Sequence, residues 1–153
     1  MKIEYLCNHI NYAEIVARWI YDEFINGIRD GFSYEDILNS RKNCHEEKLP
    51  IILIALIGDR CVGTVSVVVN DLKCRDYTPW LAALYVDKQF RNQGIGRQLT
   101  DSAKKVATQL GYKELFLRTE HAADYYKKLG WTFVESCHDN FNLKPDVFKC
   151  ALD

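Results

Sequence analysis

A mixed β-sheet of about seven strands flanked by about four helices, an α/β (α+β) architecture, is the fold class that this 153-residue sequence predicts. Two observations carry the prediction. Apolar, β-branched runs of strand length recur along the chain, and between them lie segments whose apolar residues repeat at helical spacing. Their order, β-α-α-β-β-β-α-β-α-β-β, combines hairpins with crossover helices, which lays one-sided helices on a mixed sheet. The length suits one domain spanning residues 1–153, large enough to bury roughly two-thirds of its unfolded surface. No repeat, linker or low-complexity stretch interrupts it.

Residues 2 to 6 read as a short first strand. A helix is expected from Asn11, with Asn11 as its cap and Glu14 three residues on. Tyr12, Ile15, Val16, Trp19, Ile20 and Phe24 form its inward stripe. A second helix is expected from Ser33, with Phe32 and Ile37 spaced as a hydrophobic staple. Pro50 to Ile57 and Cys61 to Asn70 read as a hairpin closed at Gly58-Asp59, and Asp71 to Pro79 connects it onward. Trp80 to Val86 is a buried strand. After it, Ile95, Leu99, Ala103, Val106 and Leu110 share one face of a long helix, and Gly111 stands where a left-handed cap ends it. Glu114 to Thr119, Trp131 to Glu135 and Val147 to Leu152 complete the strands, with a short helix from Ala122 to Leu129 between the first two.

The strand ending at Val86 runs into Arg91-Asn92-Gln93-Gly94-Ile95-Gly96-Arg97, an Arg-x-x-Gly-x-Gly turn that opens the long helix. Glycines at a helix entrance let unpaired backbone N–H groups crowd round an anion, because no Cβ blocks the approach and the first turn is the positive end of the helix. The turn lacks Gly-x-Gly-x-x-Gly and so is no dinucleotide fingerprint, and it lacks the Gly-Lys-Ser/Thr of a Walker loop. A phosphorylated ligand is the expectation. Taken alone, Arg91 and Arg97 read more readily as a solvated helix start.

Here the residues resemble a known family. Arg91-x-x-Gly94-x-Gly96 is similar to the acetyl-CoA pyrophosphate loop of the GNAT acyltransferases, and Tyr125-Tyr126-Lys127-Lys128-Leu129-Gly130-Trp131 resembles their second signature, Phe/Tyr-Tyr-x-Lys-Leu-Gly-Phe/Trp. The two motifs stand in the family's order and at about its distance, and the order of elements resembles the GNAT-like acyl-CoA N-acyltransferase fold from end to end. The resemblance implies acetyl-CoA as cosubstrate and an acetyl group moved directly to a primary amine of a small molecule or peptide in a ternary complex. It implies cofactor contacts from Leu84, Tyr85 and Val86 on a splayed fourth strand, from Arg91, Asn92, Gln93, Gly94, Ile95, Gly96 and Arg97 in the loop, and from His121 after the fifth strand. It allows a homodimer.

Such a transfer needs a neutral amine, a stabilised oxyanion and a protonated leaving thiolate. The resemblance makes Tyr126 the general acid; packing in a short helix is the competing reading for both tyrosines. Where some family members carry a glutamate on the fourth strand, this chain has Ala82, Ala83 and Leu84. Glu120, His121 or an ordered water are the substitutes, and no base is assigned. His121 has further readings as a helix cap or a solvent-exposed side chain.

A formal net charge of −1 and 27% charged residues give no general reason to bind nucleic acid or an anionic membrane. Lys127, Lys128 and Arg118 read as a solvated face. The start, Met1-Lys2-Ile3-Glu4-Tyr5-Leu6, is too short and too charged for a signal peptide, so a cytoplasmic address is expected. Six cysteines without Cys-x-x-Cys pairing read as reduced thiols, and no metal is expected. The competing function is a non-catalytic acyl-CoA-binding sensor module; the missing strand-four glutamate keeps it open and Tyr126 counts against it. Acceptor choice is expected to lie in residues 26–49 and in the Asp71 to Pro79 connection, where acidic residues stand alongside several cations; an acidic rim would attract polyamines or aminoglycosides, and a mixed-charge surface is the commoner reading.

Overall fold

Residues 1–153 are described by a computed structural model. Seven strands, β1 (Lys2–Tyr5), β2 (Ile51–Ile57), β3 (Arg60–Val68), β4 (Trp80–Val86), β5 (Glu114–Thr119), β6 (Thr132–Ser136) and β7 (Asp146–Ala151), form one sheet in the order β1-β2-β3-β4-β5-β7-β6. Helices α1 (Ala13–Ile20) and α2 (Tyr34–Lys42) cover one face, and α3 (Ile95–Gln109) and α4 (Ala123–Lys128) belong to the other. All neighbours are antiparallel except β4 and β5, which run parallel across the α3 crossover.

The strands answer to local chemistry. β2 and β3 are buried almost throughout because helices lie on both sides, so their apolar runs are continuous rather than alternating. Two residues, Gly58 at φ +58° and Asp59, close their hairpin. The α3 face closes over the sheet with Ile95, Leu99, Ala103 and Val106 buried. Leu99 is wholly enclosed, and its truncation to alanine should cost about 2–5 kcal/mol. Gly63 on β3 permits this approach: a Cβ there would meet Leu99 Cδ1 and the Tyr85 carbonyl at 3.0 Å. Gly111 ends the helix at φ +92°, and the Tyr112 N–H reaches back to the Ala107 carbonyl at 3.1 Å.

The N-terminal region departs from expectation. Asn11 does not cap α1; it lies in a 3₁₀ turn (Ile10–Tyr12) that flows into the helix, and the position before Ala13 is Tyr12, without a side-chain cap. The buried stripe is Ala13, Val16, Ala17 and Ile20, while Ile15 is exposed. The small alanines let α1 sit close to the sheet, and the wider aromatics stand at its margins. A π-type turn (Tyr21–Ile25) follows. Ser33 does cap α2, in a reciprocal capping box with Asp36. Phe32 does not bury itself as a staple: it is exposed, and its ring lies 6.3 Å from that of Phe141.

Candidate active site

The site begins with a defect in β4. Thr64 pairs with Tyr85 and Ser66 with Ala82, so Ala83 and Leu84 together face Val65 alone, and Ala83 takes φ +53°. Such a bulge bends its strand. β4 then parts from β5, which it meets in register only at Trp80 and Phe116. Between the diverging strands, α2 and the segments around Phe32 and Phe141 lies a cavity of about 780 Å³.

Beyond the split, one edge of β4 has no partner strand. The Asp87 N–H is donated to the Val62 carbonyl of β3 at 2.8 Å, so the alternation of an antiparallel ladder turns the backbone of Val86 and Leu84 to the open side. The Val86 carbonyl there accepts from Arg91 Nε at 2.9 Å. Arg91 also lies 5.2 Å over the Tyr85 ring, which packs on Trp19 with 5.4 Å between centroids. The backbone of Tyr85 pairs inward with Thr64, so its place is to support Arg91.

The loop then turns through two left-handed residues, Asn92 at φ +64° and Gly94 at φ +81°, the latter immediately before α3. The first intrahelical bond from this turn is Gln98 N–H to the Gly94 carbonyl. The N–H groups of Gln93, Gly94, Ile95, Gly96 and Arg97 have no acceptor in the protein. Nothing stands within 4 Å of a Cβ placed on Gly94, and on Gly96 only Val86 Cγ2 at 3.7 Å. Converging unpaired amides, a positive helix end and free space make a cradle that fits a pyrophosphate. Arg97 is exposed beside it.

Tyr126 on α4 lines the cavity, with its ring edge-on to Trp131 at 6.0 Å and tilted to Phe148 at 6.3 Å. Burial, with Tyr125 adding to it, pushes its phenol up to about 12. Tyr125 is exposed and does not line the cavity. His121 is exposed and lies outside the cavity. It does not cap α4: Thr119 Oγ1 accepts from the N–H groups of His121 at 3.4 Å and Ala122 at 2.9 Å.

Much of the cavity lining is charged. Arg118 of β5, its side chain 7% exposed, is donated to Glu120 at 2.8 Å and to Asp139 at 2.6 Å. Arg29 approaches Glu120 at 3.4 Å, so Glu120 is held by two guanidinium groups and is not free to serve as a base. Asp71 follows β3 and lines the cavity; desolvation raises its carboxyl to about 6, against the pull of Arg118, Arg29 and Arg41. Sequence reasoning placed Asp71 in an acceptor segment but gave it no role, because nothing local distinguishes it from the exposed acids around it. Arg41 of α2 was missed altogether.

The fold with its split β4/β5 pair, the amide cradle at the start of α3 and a phenol at the split define an acyl-CoA-dependent transferase. Residues 13–131 match the model of the acetyltransferase (GNAT) family, and the chain belongs to that family as an N-acetyltransferase. N-alpha-acetyltransferase 30 of Schizosaccharomyces pombe is 27% identical over 103 residues, covering 65% of this chain and 69% of the relative. An uncharacterized N-acetyltransferase of Chlorobaculum tepidum is 26% identical over 128 residues, 82% of this chain and 79% of its own. Among solved structures, an aminoglycoside 6′-N-acetyltransferase complexed with coenzyme A superposes with a TM-score of 0.77 at 17% identity, covering 99% of this chain and 97% of that one. Ard1 from Thermoplasma volcanium gives 0.69 at 14% identity, with 99% and 97% covered. No helix is long and apolar enough to cross a membrane.

Proposed function

We propose that this chain moves the acetyl group of acetyl-CoA to a primary amine of a small molecule or peptide, by direct attack of the amine while both substrates are bound. The observation that carries the reading is the run of five unpaired amides, from Gln93 to Arg97, at the end of the open edge of β4. These amides hold the pyrophosphate, with Asn92 and Gly94 shaping the turn and Arg91 and Arg97 adding charge. Leu84 and Val86 offer backbone groups to the pantetheine amides as a neighbouring strand would; the Val86 carbonyl exchanges its Arg91 donor for one of them, and Tyr85 steadies the released guanidinium. His121 flanks the exit of β5.

Acetyl-CoA, when bound, supplies the acetyl thioester and a thiol leaving group. Tyr126 holds its proton across the neutral range and donates it from the phenol oxygen toward the departing sulfur. Against a solvated thiol near 8.5, a phenol near 12 donates uphill by roughly 5 kcal/mol. Proximity and orientation within the cavity have to supply that difference. The phenol's position in the cavity favours catalysis over the sensor reading, which needs the cradle alone. A small-molecule acceptor has a precedent in the name of the aminoglycoside enzyme, and a peptide acceptor in that of N-alpha-acetyltransferase 30.

The test is calorimetry of CoA on the protein and on Gly96→Glu. The added carboxylate faces the cradle, and the Cβ meets nothing closer than Val86. CoA affinity should fall more than tenfold, over about 1.4 kcal/mol, with the melting temperature of the free protein little changed. Equal affinity in the variant overturns the cradle assignment.

A further inference from the structure

We infer that the acceptor is an amine that also carries a carboxylate, of the amino-acid type, with the carboxylate on Arg41 and the ammonium against Asp71. The inference rests on the acetyl-transfer reading and specifies its substrate class.

Charge accounting in the cavity leads to it. The lining carries Arg29, Arg41, Lys73 and Arg118 against Asp36, Asp71 and Glu120. Most of these groups are already engaged. Glu120 binds Arg118 and Arg29, Arg118 is further held by Asp139 from behind, and Asp36 closes the capping box of α2. Apart from Lys73, which is exposed, two partly buried groups are left over, and they have opposite signs. Arg41 reaches from α2 to β3, where Nη1 is donated to Ser66 Oγ at 2.9 Å and Nε to Ser40 Oγ at 3.3 Å. It pairs with no carboxylate, and burial lowers its proton affinity. A half-buried guanidinium that lines the cavity with donors to spare and no carboxylate partner suits an anion, and a carboxylate fits its fork. Ser66 is opposite Ala82, next to the bulge at Ala83, so this anion site is one strand from the open part of β4.

Asp71 is the complementary group. Its backbone carbonyl receives Arg118 Nη1 at 3.4 Å, which fixes the segment against β5. Arg118 and Glu120 face it from β5, Arg29 from the segment after α1, and Arg41 from α2. Being raised to about 6, it accepts a proton roughly a hundredfold more readily than an ordinary aspartate. It pairs with the ammonium and takes one proton from it, which leaves the neutral amine and a carboxylic acid. A polycationic acceptor would instead add like charge beside Arg41 and Lys73.

The test compares common amino acids with their amides, and with spermidine, by thiol release from acetyl-CoA and by calorimetry of each amine on the CoA-saturated protein. The best amino acid should exceed its amide by roughly ten- to a hundredfold in kcat/KM and in affinity. Arg41→Gln should abolish that preference without changing CoA affinity, and Arg41→Lys should restore part of it. The kcat/KM of the wild type should fall below about pH 6, and Asp71→Asn should remove that fall. Amides or spermidine accepted as well as the acids overturn this inference and leave acetyl transfer standing. Thiol release with none of these amines but with a peptide N-terminus or an aminoglycoside likewise overturns this inference alone; release with none of them all, in a protein that still binds CoA, overturns the transfer reading itself.

Discussion

Replacing Asp71 with asparagine should stabilise the protein at neutral pH. The carboxyl is ionised inside the cavity at a cost: desolvation, joined by Glu120, outweighs the attraction of Arg118, Arg29 and Arg41 and moves it from 3.8 to about 6. The hydrogen bond it receives from Arg118 goes to the backbone carbonyl, which asparagine keeps. The folded state therefore holds this proton more tightly than the unfolded chain does. Between about pH 4 and pH 6 the folded wild type binds more protons, so its stability falls as pH rises through that window. Above it the whole difference is in place, roughly 3 kcal/mol; near pH 5 about half of it remains and near pH 4 little. The variant does not titrate there and should exceed the wild type by up to these amounts, because the amide is desolvated more easily than the carboxylate. In a domain of this size the neutral-pH gain corresponds to a melting temperature higher by roughly 6–12 °C. Urea unfolding of both proteins at about pH 7.5, 5 and 4 measures the gap. A variant less stable than wild type at neutral pH, or a gap that does not close on acidification, refutes the reasoning. Gain in stability with loss of acceptor turnover is the pattern expected of a group placed for chemistry.

Tyr126→Phe keeps the ring between Trp131 and Phe148 and removes the proton; turnover should fall by roughly tenfold to a thousandfold with CoA affinity nearly unchanged, and Tyr125→Phe, outside the cavity, should be milder. Full turnover in Tyr126→Phe, where chemistry limits the rate, would return the ring to a packing role. Thiol titration of the denatured protein should count six free cysteines. In the native protein Cys74, the exposed one, should react first and Cys61, buried and raised to about 11, last, so that Cys74→Ser removes the fast phase; a count below six would show a disulfide.

Much of this molecule is local, and local features were legible in its sequence. The hairpin at Gly58-Asp59, the strand from Trp80 to Val86, the single buried face of α3 and its glycine stop each follow from a few neighbouring residues. So does the cradle, because its donors belong to consecutive residues whose unpaired state is a property of any helix start. Tyr126 came from a motif, which is also a local pattern. The N-terminal helix misled for the converse reason: whether Ile15 or Ala17 turns inward depends on how closely α1 approaches the sheet, and small residues were not counted as core.

Tertiary structure decided the acceptor half. Ala83 has no sequence mark of a left-handed residue, yet pairing with β3 forces the bulge there, and the bulge parts β4 from β5 to open the cavity. The charges read along the chain suggested a mixed-charge surface or an acidic rim. Folding neutralises Glu120 against Arg118 and Arg29 and commits Asp36 to a helix cap, leaving Arg41 and Asp71 as the partly buried groups without an ion-pair partner. Those pairings join residues up to 91 positions apart. A backbone anion site is written in contiguous sequence, whereas the net charge of a pocket exists only once distant side chains have found or failed to find their partners.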